Sequence, residues 1–110
     1  MTNFLLLAND QNMNLVFKAL SDPTRRRILQ LLRERPMTAG HIAEHFDFAK
    51  PTLSAHFAVL READLIESEK IGTSITYSLK LSVLEDALLS FAKTVGIGVR
   101  GRLKPATRAS

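Results

Sequence analysis

The amino-acid sequence predicts a mainly α-helical domain carrying one β-hairpin, on three observations. Apolar residues recur at helical spacing in four successive segments between positions 3 and 63. Ile75, Tyr77 and Leu79 then alternate with Ser74, Thr76 and Ser78, which is the period of a strand with one buried face. A last helical stripe runs from Val83 to Val95. The order is ααααββα. Two short helices joined by a tight connection and followed by a hairpin make a winged helix-turn-helix.

Each element has its own signals. Asn3 to Leu20 forms the first helix, with Phe4, Leu5, Leu7, Leu15, Val16, Ala19 and Leu20 as its apolar members. Its first turns hold more apolar residues than one small core needs. The second helix begins in "SDPTRRRILQLLRER", where Ser21 or Asp22 can accept from free backbone N–H groups and Pro23 suits the first turn. Ile28, Leu29, Leu31 and Leu32 are its buried stripe, and Pro36 stops it. "TAGHIAEHF" is a short third helix with Thr38 as N-cap and Ile42, Ala43 and Phe46 inward. After "DFA", the fourth helix packs through Leu53, Phe57, Leu60 and Ala63. Leu65 to Lys70 is strand-like, and Gly72 with Thr73 marks the turn. In the last helix Ser82 is the expected cap, with Glu85 three residues on as in a capping box. Gly96 and Gly98 end it. Residues 1–98 are thus read as one domain, and 99–110 as a basic, disordered tail.

Composition narrows the function classes. The 110 residues suffice for one domain with a modest core, so burial against a second copy would help stability. There is no cysteine, hence no disulfide framework, thiolate metal site or Cys nucleophile. That is compatible with a reducing cytoplasm, the expected location. The formal charge is +4 and the pI about 9.9, which points to a polyanionic partner, most often nucleic acid. The charge is uneven. Residues 1–17 hold Asp10 and no base, whereas the tail holds Arg100, Arg102, Lys104 and Arg108 and no acid. "FLLLA" has no preceding basic residue and is too short for a signal peptide. No apolar run approaches a membrane span.

The stretch "AKPTLSAHFAVLREADLI" carries the chemistry. A helix-turn-helix lays the N-terminal part of its second helix in the major groove, where polar side chains of moderate size reach base edges. Lys50 can contact guanine or phosphate, Thr52 and Ser54 can bond to bases or phosphates, His56 can donate to either, and Ala55 can touch a thymine methyl. A solvated surface helix would show similar polarity; the hairpin that follows tips the balance to DNA. Lys70 to Thr73 is the expected wing tip, with Lys70 on a phosphate and Gly72 letting the backbone approach closely. Arg25, Arg26 and Arg27 sit at a helix N-terminus, where the macrodipole disfavours cations; Arg25 is a secondary candidate for phosphate contact. A solvated charge run accounts for the three equally well.

His41-Ile42-Ala43-Glu44-His45 matches the H-x-x-E-H pattern of some zinc peptidases. Two His at i, i+4 share a face and could share a metal. The helix is short, a third ligand is not evident, and the chain is too small to wall a substrate cleft. Two solvent-facing His are the simpler reading, and no catalytic residue is assigned.

"VFKALSDPTRRRILQLL", "MTAGHIAEHF", "KPTLSAHFAVLREADLI" and "GTSITYSL" together resemble the ArsR/SmtB family of bacterial winged-helix regulators, and within it the sporulation-delaying operon autorepressor branch. The resemblance covers roughly 15–89. It implies a homodimeric repressor on a palindromic operator, with Lys50 to His56 in the recognition helix. The family pairs its first and last helices across the dimer, which implies Phe4, Leu5, Leu7, Leu84, Leu88 and Phe91 at the interface. Metal-sensing members carry a Cys pair where this chain has "TAGHIAEH", or Asp/His sets on the last helix, which here offers Glu85 and Asp86 without His. No metal site and no cofactor are therefore expected. Relatives usually start the recognition helix with Ser, here Ala49, and often place Gly where this chain has Asp64.

The expected function is sequence-specific repression of transcription, with double-stranded DNA carrying an inverted repeat and a second copy of the chain as partners. Two alternatives remain open: a repressor switched by zinc at His41, His45 and His56, and a winged-helix module that binds a protein such as an anti-repressor.

Overall fold

The computed structural model describes residues 2–98, with side chains described from residue 11 onward. The side chains of Phe4, Leu5 and Leu7, expected at the dimer contact, and the basic tail 99–110 therefore lie outside what is described. Helix α1 (Thr2–Leu20) leads to α2 (Pro23–Glu34), a short strand β1 (Met37–Thr38), α3 (Ala39–Ala43), α4 (Lys50–Glu62), the hairpin β2 (Ile66–Ile71) and β3 (Ser74–Leu79), and α5 (Leu81–Val95). The winged helix-turn-helix is present, with one element more than expected. Strand β1 pairs antiparallel with β3, Met37 opposite Tyr77 and Thr38 opposite Thr76, so the sheet runs β1-β3-β2. Two residues are too few to show alternation. The local cause is Pro36, which disfavours helix at Arg35 and leaves it extended at φ −174° and ψ 161°.

The helix starts follow from side chains. Asp22 caps α2, its carboxylate accepting from the backbone N–H of Thr24 (2.7 Å) and Arg25 (3.2 Å), with Pro23 in the first turn. Thr38 Oγ1 accepts from the His41 N–H at 3.1 Å and caps α3. Ala49 offers α4 no side-chain cap. In α5 the expected Ser82 cap is not used. The helix starts at Leu81, because the Lys80 N–H donates to Leu65 O at 2.8 Å and fixes the chain there as β3 ends.

The end of α4 is a Schellman motif with Asp64 in the left-handed region, φ +62°. The Leu65 N–H returns to Leu60 O (3.1 Å) and the Asp64 N–H to Arg61 O (2.9 Å). Leu60 and Leu65, the apolar pair of that motif, are both fully buried. Aspartate tolerates this conformation better than most non-glycine residues, and its carboxylate meets Lys80 Nζ at 2.8 Å. That hydrogen bond outweighs the opposing desolvation and, with the charges of Asp64 and Glu67, raises the Lys80 pKa above its ordinary value.

Val16, Ile28, Ile42, Leu60 and Leu65 form the fully buried centre, drawn from all four preceding helices and the α4–β2 turn. Phe57 of α4 stacks on Tyr77 of β3 with ring centroids 4.4 Å apart, joining the fourth helix to the sheet. By register, Ser68, Lys70, Ile75 and Tyr77 share one face of the hairpin, and Glu67, Glu69, Thr76 and Ser78 the other. Tyr77 is buried, but Ile75, expected inward, is 39% exposed because it lies towards the hairpin tip. The strand also runs one residue further than expected. Lys70 pairs with Ile75 and Ile71 with Ser74, leaving only Gly72 and Thr73 as the turn. Gly72 has φ +65°, as the first position of a Gly-X hairpin turn demands.

Candidate nucleic-acid interface

Helix α4 is anchored on one side and open on the other. Leu53, Phe57 and Leu60 are buried, while Lys50, Thr52, Ser54 and Ala55 are exposed. At about 100° per residue, Lys50 and Ser54 fall on one flank of the buried stripe, Thr52 and His56 on the other, and Ala55 opposite the core. Donors and acceptors thus frame a small apolar centre, an arrangement suited to the floor of a groove.

His56 stands apart from the other four. It is half-buried, and its Nδ1 lies 3.2 Å from Arg25 Nη1. Arg25 reaches it from α2 while its other nitrogens hold the end of α1: Nε donates to Ala19 O at 2.8 Å and Nη2 to Lys18 O at 3.0 Å. Arg26 does similar work, donating to Leu20 O at 2.8 Å. The cost of placing arginines at the N-terminus of α2 is offset because two of them cap the C-terminal carbonyls of α1, where cations are favoured. Arg27 bonds to Gln30 on the surface at 2.9 Å. The structure therefore gives Arg25 three partners within the fold, where the sequence suggested a phosphate contact.

Asp22 completes this junction. Burial works against its charge, but the N–H groups of Arg25 and Thr24 and the positive charge beside them prevail. Its pKa lies below the ordinary 3.8.

Phe48, which the sequence reading passed over, lies in the loop before α4. It is 46% exposed, stacks on Phe46 at 5.6 Å, and tilts against the His56 ring at 6.4 Å. The available signal was a large aromatic in a connection too short to bury it. In the wing, Lys70, Gly72 and Thr73 are all exposed. Glu67 and Glu69 lie on the other face of β2 from Lys70, so Lys70 keeps its charge apart from them.

The His41 and His45 rings are 6.1 Å apart. Among the described residues no group of three or more His, Asp or Glu is placed to hold a metal ion, so His41, His45 and His56 are not brought together as one site. No described helix is long and apolar enough to cross a membrane.

Helix α5 exposes an apolar face of its own. Leu88, Leu89, Phe91 and Val95 range from 36% exposed at Leu88 to 55% at Val95, and Ile97 follows. Phe91 meets Phe17 of α1 edge-on at 5.0 Å. Leu84, by contrast, is half-buried against the core. Leu88 and Phe91 were expected on this face; Leu89, Val95 and Ile97 extend it.

Comparison with known proteins agrees with this geometry. A family model described as a helix-turn-helix domain matches residues 20–69. The chain is 53% identical over 76 residues to the transcriptional repressor SdpR of Bacillus subtilis (strain 168), covering 69% of this chain and 84% of that one. It is 35% identical over 78 residues to the arsenical resistance operon repressor of Staphylococcus aureus, covering 71% and 75%. A crystal structure of an ArsR family transcriptional regulator superposes with a TM-score of 0.72 at 29% identity, covering 77% of this chain and 93% of that chain.

Proposed function

Since the chain belongs to the ArsR/SmtB family of helix-turn-helix transcription regulators, we propose that it is a DNA-binding transcriptional repressor, acting as a homodimer on an inverted-repeat operator and not as an enzyme. The observation that carries the reading is α4 itself: a helix fixed by Leu53, Phe57 and Leu60 whose N-terminal half turns Lys50, Thr52, Ser54 and Ala55 outward.

Thr52, Ser54 and His56 make the base contacts in this account, and Ala55 meets a thymine methyl. Lys50 and the wing's Lys70 neutralise phosphates, and the exposed Gly72–Thr73 turn lets the backbone approach a groove. Phosphate contacts supply affinity and salt dependence; base contacts supply preference. Repression then needs no chemistry at the site, only occupancy of the operator. The exposed apolar face of α5 pairs two copies, with Phe4, Leu5, Leu7, Leu84, Leu88 and Phe91 at the contact. Dimerisation brings two reading helices to half-sites one helical turn of DNA, about 34–36 Å, apart. The repressor works in the cytoplasm, where the operator is.

Selection of bound fragments from a random double-stranded DNA library tests this, once with chelator and once with zinc. An inverted repeat recovered in both conditions is the expected result. A repeat in only one condition would favour a zinc switch at His41 and His45. No enrichment in either would favour a winged-helix module that binds a protein partner.

A further inference from the structure

We propose that Arg25 is a positioning residue for base reading: it holds His56 in the tautomer that carries its proton on Nε2, making that ring a hydrogen-bond donor to DNA. This rests on the function proposed above. A guanidinium has five N–H donors and no acceptor, so across the 3.2 Å between Arg25 Nη1 and His56 Nδ1 the ring nitrogen must accept. In a neutral ring whose Nδ1 accepts, the proton is on Nε2. The ring can then address guanine O6 or N7, adenine N7, thymine O4 or a phosphate oxygen, and it cannot accept from the amino groups of cytosine or adenine.

The geometry gives Arg25 little freedom to do otherwise. Its Nε and Nη2 are held by the carbonyls of Ala19 and Lys18, so the fork that reaches His56 is fixed at its other two nitrogens by the end of α1. On another side the ring is bounded by Phe48. Arg26 supplies an internal control, since it holds the same end of α1 through Leu20 O and is not among the bonds to His56.

Two readouts test the assignment on the full chain. In long-range nitrogen–proton spectra without DNA, His56 is expected as the Nε2–H form in the parent and in Arg26→Ala, and as a mixture in Arg25→Ala. A dominant Nδ1–H form in the parent overturns the proposal. On duplexes varied one base pair at a time around the selected repeat, Arg25→Ala is expected to lose about tenfold of preference at the base pairs where His56→Ala loses it. His56→Gln, whose amide nitrogen donates without help, is expected to keep the preference and to make Arg25→Ala neutral for it. Arg25→Lys keeps one cationic donor for the α1 carbonyls without the fork, and is expected to show the same loss where Arg25→Ala does not fold. Weaker binding to all sequences alike, with the salt slope reduced by about one, would make Arg25 a phosphate contact and overturn the proposal. A parent that shows the Nε2–H ring but no sequence preference would instead overturn the proposed function, and the base-reading role with it.

Discussion

Helices α4 and α5 are similar in length, 13 and 15 residues, yet each is buried by opposite means. Helix α4 sinks Leu53, Phe57 and Leu60 into its own chain and shows water Lys50, Thr52, Ser54 and Ala55. Helix α5 buries fully only Ala87 and Ala92, and shows water Leu88, Leu89, Phe91 and Val95. A helix held by large side chains can spare its outer face for a polar, hydrated partner. One whose buried side chains are two alanines, with Val83 and Leu84 half-buried against the core, leaves large apolar side chains in water, and an apolar face of this kind marks a protein contact. Under the proposed function the first reads and the second pairs.

The largest expected effect breaks the pairing side. Leu88→Glu with Val95→Glu is expected to give a monomer by sedimentation and to weaken operator binding by about 10²–10⁴-fold, as linked half-site binding is lost. Unchanged affinity would mean that α5 serves another contact. Next, Phe57→Ala removes the ring that stacks on Tyr77. It is expected to destabilise the fold by about 3–5 kcal/mol in denaturant titration. The parent's melting temperature, by contrast, is expected to rise with protein concentration, because dimerisation favours the folded state.

The reading side is sharpened by smaller changes. Ser54→Ala is expected to cost about 1–3 kcal/mol of discrimination between operator and mismatched duplexes, while Lys50→Ala weakens binding to all sequences and lowers the salt slope by about one. Competition binding at several salt concentrations separates the two. Smallest are the caps. Asp22→Ala is expected to cost about 1 kcal/mol of stability and Ala49→Ser to return a similar amount, read by thermal melts. Because folding lowers the Asp22 pKa, the charge-dependent part of its stabilisation is complete above 3.8 and disappears as pH falls through the folded-state value below it. Asp22→Asn, which keeps a capping oxygen, is expected to flatten that acid limb of the stability profile.

Much of this was legible in the sequence because the signals were local. Periodicity placed all five helices and the hairpin, and the caps Asp22 and Thr38 were visible as single residues before helical stripes. The family resemblance marked Asp64 as a place where relatives often carry Gly, though not the Lys80 partner of its carboxylate, which lies 16 residues away. Strand β1 escaped because two residues carry no period. The Ser82 cap was misplaced because a tertiary bond, from the Lys80 N–H to Leu65 O, sets where α5 begins. At the candidate site, Lys50, Thr52, Ser54 and Ala55 are exposed as the pattern required. The role of Arg25 was not visible, since its partners are Lys18, Ala19 and His56, and no sequence rule ties an arginine to a ring 31 positions on.

The most direct test of the central claim is the stoichiometry and affinity of the purified protein on the selected duplex and on a half-site, measured by sedimentation across a salt series. Two protomers on the full repeat, a half-site bound far more weakly, and affinity falling steeply with salt are the expected results. One protomer bound equally well to repeat and half-site would contradict the account.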